Sequence, residues 1–234
     1  MSAGSVGPGY APASQSHTSG NLLVVCVRYF KESGQVVNSI TDTAGNTYTL
    51  AVAVTNNIND YLGIYYAKNI TGHASNVVTV NFSATVRFVS VQVLQYSGCD
   101  TTSPLDTTAS SNTQYSGSYV TGSFTTSQAN EVLVSTVQIG STTSSFTVGS
   151  GYTQRALSTS SVHLTQEKIV SSIQTSVTAG ATNTNTTNGG HALVATFKEA
   201  PEVRSGKFFP FLMRKAADLL KRAKAGLWVP DYSY

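Results

Sequence analysis

Short runs of β-branched and aromatic residues recur along this chain, with Gly, Ser, Thr and Asn clustered between them. The spacing of roughly 8–12 residues is that of an all-β domain whose strands are joined by turns. The run "LLVVCV" is too short to span a membrane and suits a buried strand. Only 11% of residues are charged, yet β-branched and aromatic side chains are plentiful enough to argue against disorder. With 234 residues there is material for one large β domain or two small ones.

The pattern predicts strands over 22–30, 36–41, 47–55, 62–69, 77–82 and 88–96. After a Ser/Thr-rich connection, "CDTTSPLDTTASSNTQYSGS", it predicts strands over 119–125, 131–139, 146–148, 152–157, 163–170, 175–179 and 192–198. The second set echoes the first. "NLLVVCVRY" matches "NEVLVSTVQI", "GIYYAKNI" matches "HLTQEKIV", and "VSVQVLQYSG" matches "HALVATFKEA". The offset drifts from about 110 to about 100 residues. The reading is an antiparallel two-sheet β-sandwich, jelly-roll or Greek-key in type, with two pseudo-repeats closing on one core. Two separate domains is the alternative. Residues 1–20 read as an extended arm, 21–200 as the sandwich, and 201–234 as a tail.

The landmarks "GNLLVV", "ITDTAGNTYTL", "IYYAKNI", "VTVNFS", "VQVLQYSGCD" and "PLD" come in that order, followed by "SGYTQRA", "EKIVSS" and "HALVATFKEA". In this the chain resembles a poorly characterised β-sandwich module of bacterial surface and secreted proteins and of phage structural proteins, over about residues 20–200. The resemblance implies a binding or structural module and lends no catalytic residues. The short arm and the tail depart from the module's usual context.

Charge is divided unevenly. Residues 1–203 carry 7 Lys/Arg and 9 Asp/Glu, while residues 204–234 carry 7 Lys/Arg and 2 Asp/Glu, so the body is at −2 and the tail at +5. The segment "KFFPFLMRKAADLLKRAKAGLW" predicts a basic amphipathic helix, with Pro210 suited to its first turn and Gly226 to its stop. Phe209, Leu212, Met213, Leu219 and Leu220 recur at helical spacing as an apolar stripe. Arg214, Lys215, Lys221, Arg222 and Lys224 form the basic face, and Trp228, Tyr232 and Tyr234 follow as anchors for a protein contact. Docking on the chain's own body or on a neighbouring subunit is the first reading. A membrane surface and nucleic acid or another polyanion rank behind it.

Chemistry finds little purchase. "DTAGNTY" could offer Asp42 and Asn46 to calcium, but one carboxylate and one amide fall short of the six or more ligands required, and a hairpin turn with Gly45 at positive φ is preferred. Asp100 and Asp106 could pair as glycosidase carboxylates, but they lie on a Pro-containing connection where Asp forms turns. No G-x-S-x-G elbow, P-loop or Cys/His motif is present. His17, His73, His163 and His191 are scattered, and His163 and His191 read as strand ends. Cys26 and Cys99 read as buried free thiols in preference to a disulfide. Tyr61, Tyr65, Tyr66, Tyr96, Tyr115 and Tyr119 could face sugars, with packing as the default. The N-x-S/T triplets at Asn69, Asn81 and Asn185 are as many as chance supplies, and the amino-terminal segment lacks the features of a signal peptide.

The expectation is therefore a non-enzymatic structural or assembly protein with no cofactor and no metal. It would be a capsid decoration or other surface subunit of a phage particle, partnered by other protein subunits and located on a virion or cell surface. The alternative is an extracellular bacterial carbohydrate-binding or adhesion module.

Overall fold

The computed structural model describes residues 5–55, 60–111, 114–140, 145–160 and 162–201. Chain contacts divide the protein into Met1–Ala200 and Pro201–Tyr234, and the described structure is that of the first unit. Its regular structure is entirely β.

The first half carries β1 (Ser5–Val6), β2 (Gly9–Tyr10), β3 (Gln15–His17), β4 (Leu22–Phe30) and β5 (Val37–Asp42). It continues with β6 (Thr49–Thr55), β7 (Asp60–Ala67), β8 (His73–Asn76), β9 (Val78–Phe82) and β10 (Val86–Tyr96). The second half has β11 (Leu105–Ser110), β12 (Ser118–Val120), β13 (Asn130–Ile139) and β14 (Phe146–Thr147). Then come β15 (Thr153–Ser158), β16 (His163–Ser171), β17 (Gly180–Asn183) and β18 (Gly190–Lys198).

The two halves share one plan. In the first, a five-stranded sheet runs β1-β10-β4-β7-β6 and a three-stranded sheet runs β2-β9-β5. In the second, the orders are β11-β18-β13-β16-β15 and β12-β17-β14. Strand for strand these are the same arrangement, and the first half adds the β3-β8 pair. All pairings are antiparallel. Even the irregularities repeat. Edge strands β6 and β15 are each bulged against their neighbour, between Leu50 and Val52 in one and between Gln154 and Ala156 in the other.

The layers follow from which faces are apolar. One face of β4 and β7 (Leu22, Val24, Cys26, Leu62, Ile64) packs against Val132, Val134, Leu193, Ala195 and Phe197 of the second half. The two five-stranded sheets therefore lie face to face. Their other faces are covered too. Val25, Val27 and Tyr29 pack on Ile40, Val80 and Phe82 of the first three-stranded sheet. Val137, Ile139 and Leu164 pack on Tyr119 and Ala181 of the second. This explains why β4 and β18 are buried along almost their whole length, since strands covered on both faces have no solvent side. β9, with one face inward, alternates buried and half-buried residues.

Besides the β3-β8 pair there are four sheets where the sequence predicts two, because each pseudo-repeat has a core of its own besides the one it shares. Residues 5–17, read as an arm, are extended and lie as β1, β2 and β3 along β10, β9 and β8. β11 sits in the Ser/Thr-rich connection, where its polar side chains hide it from a hydrophobicity pattern. The strand expected over 175–179 is displaced to Gly180–Asn183, where it pairs with both β12 and β14.

The "DTAGNTY" turn is held by one carboxylate. Asp42 accepts hydrogen bonds from the Asn46 backbone (2.8 Å), the Asn46 amide (2.8 Å), the Tyr48 hydroxyl (2.8 Å) and the Asn76 amide (2.9 Å). Gly45 takes φ +75 as the turn requires. Burial would raise the Asp42 carboxyl, but these donors outweigh it and hold it below the ordinary range. Asp42→Ala should therefore lower stability by about 1–3 kcal/mol, measured by urea unfolding at neutral pH. In the native protein this contribution is present above the ordinary carboxyl pKa and is lost as pH falls through the lowered one.

Candidate functional site

The residues that sequence singles out for docking, Phe209, Leu212, Met213, Leu219, Leu220, Trp228, Tyr232 and Tyr234, lie outside the described residues, as does the predicted helix. So do Arg214, Lys215, Lys221, Arg222 and Lys224 of its basic face.

Within the described part, the acidic candidates are engaged in holding the chain. Asp100 accepts from the backbone N–H groups of Thr102 (2.7 Å) and Ser103 (3.1 Å), which hold its carboxyl low. Asp106 accepts from the Ser127 backbone (2.7 Å) and hydroxyl, tying β11 to the loop before β13. Of the six tyrosines, Tyr115 is exposed and Tyr119 is fully buried, and Tyr66 stacks edge-on against Phe197 across the two halves (5.5 Å). Cys26 and Cys99 are free and buried, and burial pushes their thiols up to about 12 and about 11. These are inert thiols. Among the described residues, no three His, Cys, Asp or Glu side chains come together as a metal site.

Among the described residues, a concentration of unusual chemistry lies between the two five-stranded sheets, at positions that no sequence motif marks. Register aligns the repeats. The Leu22–Tyr96 pair corresponds to Val132–Phe197, Cys26–Ile64 to Thr136–Thr165, and Arg28–Leu62 to Gln138–His163. At the Leu22 end the facing side chains are mostly apolar, with Tyr96 of β10 and the buried Glu167 of β16 among them. At the Arg28 end they are polar and just as buried: Arg28, Asp60, Ser90 and Gln92 from the first repeat, Thr136, Gln138, His163, Thr165 and His191 from the second.

Several of these contacts bind the repeats together. His163 Nδ1 is 3.0 Å from Ser90 Oγ, and its Nε2 is 2.7 Å from Thr136 Oγ1. The Gln92 amide donates to the His163 carbonyl (3.0 Å). Arg28 donates to Asp60 (2.8 Å) and to the Phe88 carbonyl (2.7 Å). That carbonyl is turned toward Arg28 by a bulge in β10, at which Phe88 adopts φ +51. Val162, next to His163, has φ +40. Positive φ costs a non-glycine residue about 1–3 kcal/mol and persists only where the surroundings over-determine it, most often at functional sites. Two of the four such residues among those described border this seam.

The seam is also incompletely satisfied. Arg28 Nε, Gln92 Oε1 and both amide atoms of Gln138 are buried without a hydrogen-bond partner. Burial, followed by the field of Arg28, pushes the His163 imidazole down to about 3. Burial also lowers His191, against the opposing pull of Asp60. Both rings are therefore neutral at physiological pH.

A cavity of about 320 Å³ opens at the other, apolar end of the same interface, lined by Tyr96, Cys99, Val132, Ile169, Phe197 and Glu199 among others. Ile169 is 76% exposed there. Glu131 borders it, and burial, with the Asp106 carboxylate behind it, pushes the Glu131 carboxyl up to about 7. No family model, curated protein or solved structure matches the chain.

Proposed function

We propose that the protein is a non-enzymatic structural subunit that joins a larger assembly, such as a phage particle or a cell-surface structure, through its basic apolar tail. Its body is read as two jelly-roll-like β-sandwiches. In each repeat the first strand pairs with the eighth, the second with the seventh and the third with the sixth, counting β2 with β3 and β8 with β9 as single strands. Rolling up one long hairpin produces this nesting. The fifth strand joins the larger sheet in both repeats.

The observation that carries the reading is that Asp42, Asp100 and Asp106, the acidic residues picked out for chemistry, each spend their oxygens on turns or cross-connections. The polar seam is shut between the two sheets and offers no cleft to a substrate. The tail, at +5 over 31 residues and with an apolar stripe, supplies a means of attachment.

The test compares two variants of the full chain by sedimentation at physiological salt. Burying Leu212, Leu219 and Leu220 at a protein contact contributes about 1.5–3 kcal/mol each, whereas exposed ion pairs contribute about 0–1 kcal/mol. Leu219→Asp should therefore abolish association with the partner subunit or with further copies. Lys221→Gln with Arg222→Gln should leave it nearly intact. The reverse ranking would indicate a polyanion or an anionic membrane. Specific binding on a glycan array, unaffected by Leu219→Asp, would favour the carbohydrate-binding alternative.

A further inference from the structure

We propose that the polar end of the inter-repeat interface is an acid-operated latch, closed at neutral pH and parted when His163 and His191 take up protons, while the apolar end stays packed. The inference is independent of the assembly role and rests on what faces these two rings.

Against His163 lie Arg28 of β4, Ser90 and Gln92 of β10, and Thr136 and Gln138 of β13. Against His191 lie Asp60 of β7, the Ser111 backbone and, as its cross-strand neighbour, Gln138. The charged groups of the seam are thus one arginine and one aspartate, already paired with each other. A proton on His163 would add a second positive charge beside Arg28, in a site with 0% exposure. No carboxylate contacts the His163 ring, whose nitrogens face two hydroxyls.

Four orphaned polar atoms make the same end cheap to open, because exposure to water gives each of them hydrogen bonds that the closed seam withholds. The strained backbone at Phe88 and Val162 is relieved by the same movement. The far end is packed mainly by apolar side chains. Leu22, Val24, Val132, Val134 and Phe197 gain nothing from water and hold the repeats together there.

Sequence comparison between the repeats locates the device. Arg28 stands where the second repeat has Gln138, Leu62 where it has His163, and Ser90 where it has His191. The repeats have diverged into complementary partners at this end, whereas Val24 and Val134 correspond as like residues at the other.

Amide hydrogen exchange of the full chain, corrected for the intrinsic rate at each pH, tests this within a single molecule. An imidazole held to about 3 when closed and free to titrate at about 6.5 when open shifts the opening equilibrium by about 100-fold between pH 8 and pH 4.5. Protection at Arg28, Gln138 and Leu164 should therefore fall by about that factor, while protection at Val24, Val134 and Ala195 does not fall. In His163→Gln/His191→Gln the difference between the ends should vanish. Unchanged protection at the polar end of the native protein, or an equal fall at both ends, would overturn the latch without recourse to the variant. So would a selective fall that persisted in a folded double variant.

Discussion

Asp60→Ala is expected to destabilise the protein by about 3–5 kcal/mol, among the largest losses any single side-chain truncation should cause here. The reason is what it leaves behind. Arg28 and Asp60 form an ion pair at 2.8 Å with side chains only 6% and 4% exposed, so neither charge has water to fall back on. Burial already works against the Arg28 cation, and Asp60 is what opposes that burial. Without the carboxylate, Arg28 keeps only the Phe88 carbonyl. The pair itself is worth much less than its rupture costs, because two apolar side chains of similar volume avoid the desolvation altogether. Arg28→Met/Asp60→Leu should therefore be at least about 2 kcal/mol more stable than Asp60→Ala. Urea unfolding of Asp60→Ala and of the cycle Arg28→Met, Asp60→Leu and Arg28→Met/Asp60→Leu measures this directly. A strictly additive cycle would show that the pair is solvated and that the seam is not closed.

This seam marks the limit of what the sequence discloses. The strands β4, β7, β10, β13, β16 and β18 are legible because short runs rich in β-branched and aromatic residues are bounded by turn residues. The duplication is legible too, down to its drifting offset. The stacking of the two large sheets is not. Alternation assigns polar residues to solvent, and Thr136, Gln138, Thr165 and Glu167 alternate correctly for a strand with one wet face. That face instead meets the other repeat, and all four are buried. The two histidines were placed at strand ends, which is where they lie, but the strand ends are interior. A signal was present in the arginine at Arg28. A cation inside the apolar run "LLVVCVRYF" needs a partner, and Asp60 is one of only three acidic residues between Arg28 and Asp100. The Asp42 turn was read correctly for the opposite reason, since turn chemistry is local and needs no knowledge of the fold.

Glycine supplies the second large effect, and two positions separate its two causes. At Gly45 the backbone has φ +75, and a Cβ would meet nothing within 4 Å. Gly45→Ala should cost only the left-handed penalty, about 1–2 kcal/mol. At Gly180 the obstacle is another strand. A Cβ there would lie 2.0 Å from the Tyr119 carbonyl oxygen and 2.7 Å from Val120 Cα, and both are backbone atoms that cannot rotate away. β12 and β17 pair at this point, with Val120 opposite Gly180. Relief requires the two strands to separate, which would also pull the Gly180 carbonyl from the Gln166 amide (2.7 Å) and disturb Tyr119, fully buried beneath Val137 and Leu164. Overpacking that side chains can absorb costs about 1–3 kcal/mol, and this case exceeds it because no side chain can move to make room. Gly180→Ala is expected to lose more than about 3 kcal/mol and to release exchange protection in β12 and β17 first. Equal losses at Gly45 and Gly180 would mean that backbone conformation alone governs both, and that β12 does not approach β17 as closely as the pairing requires.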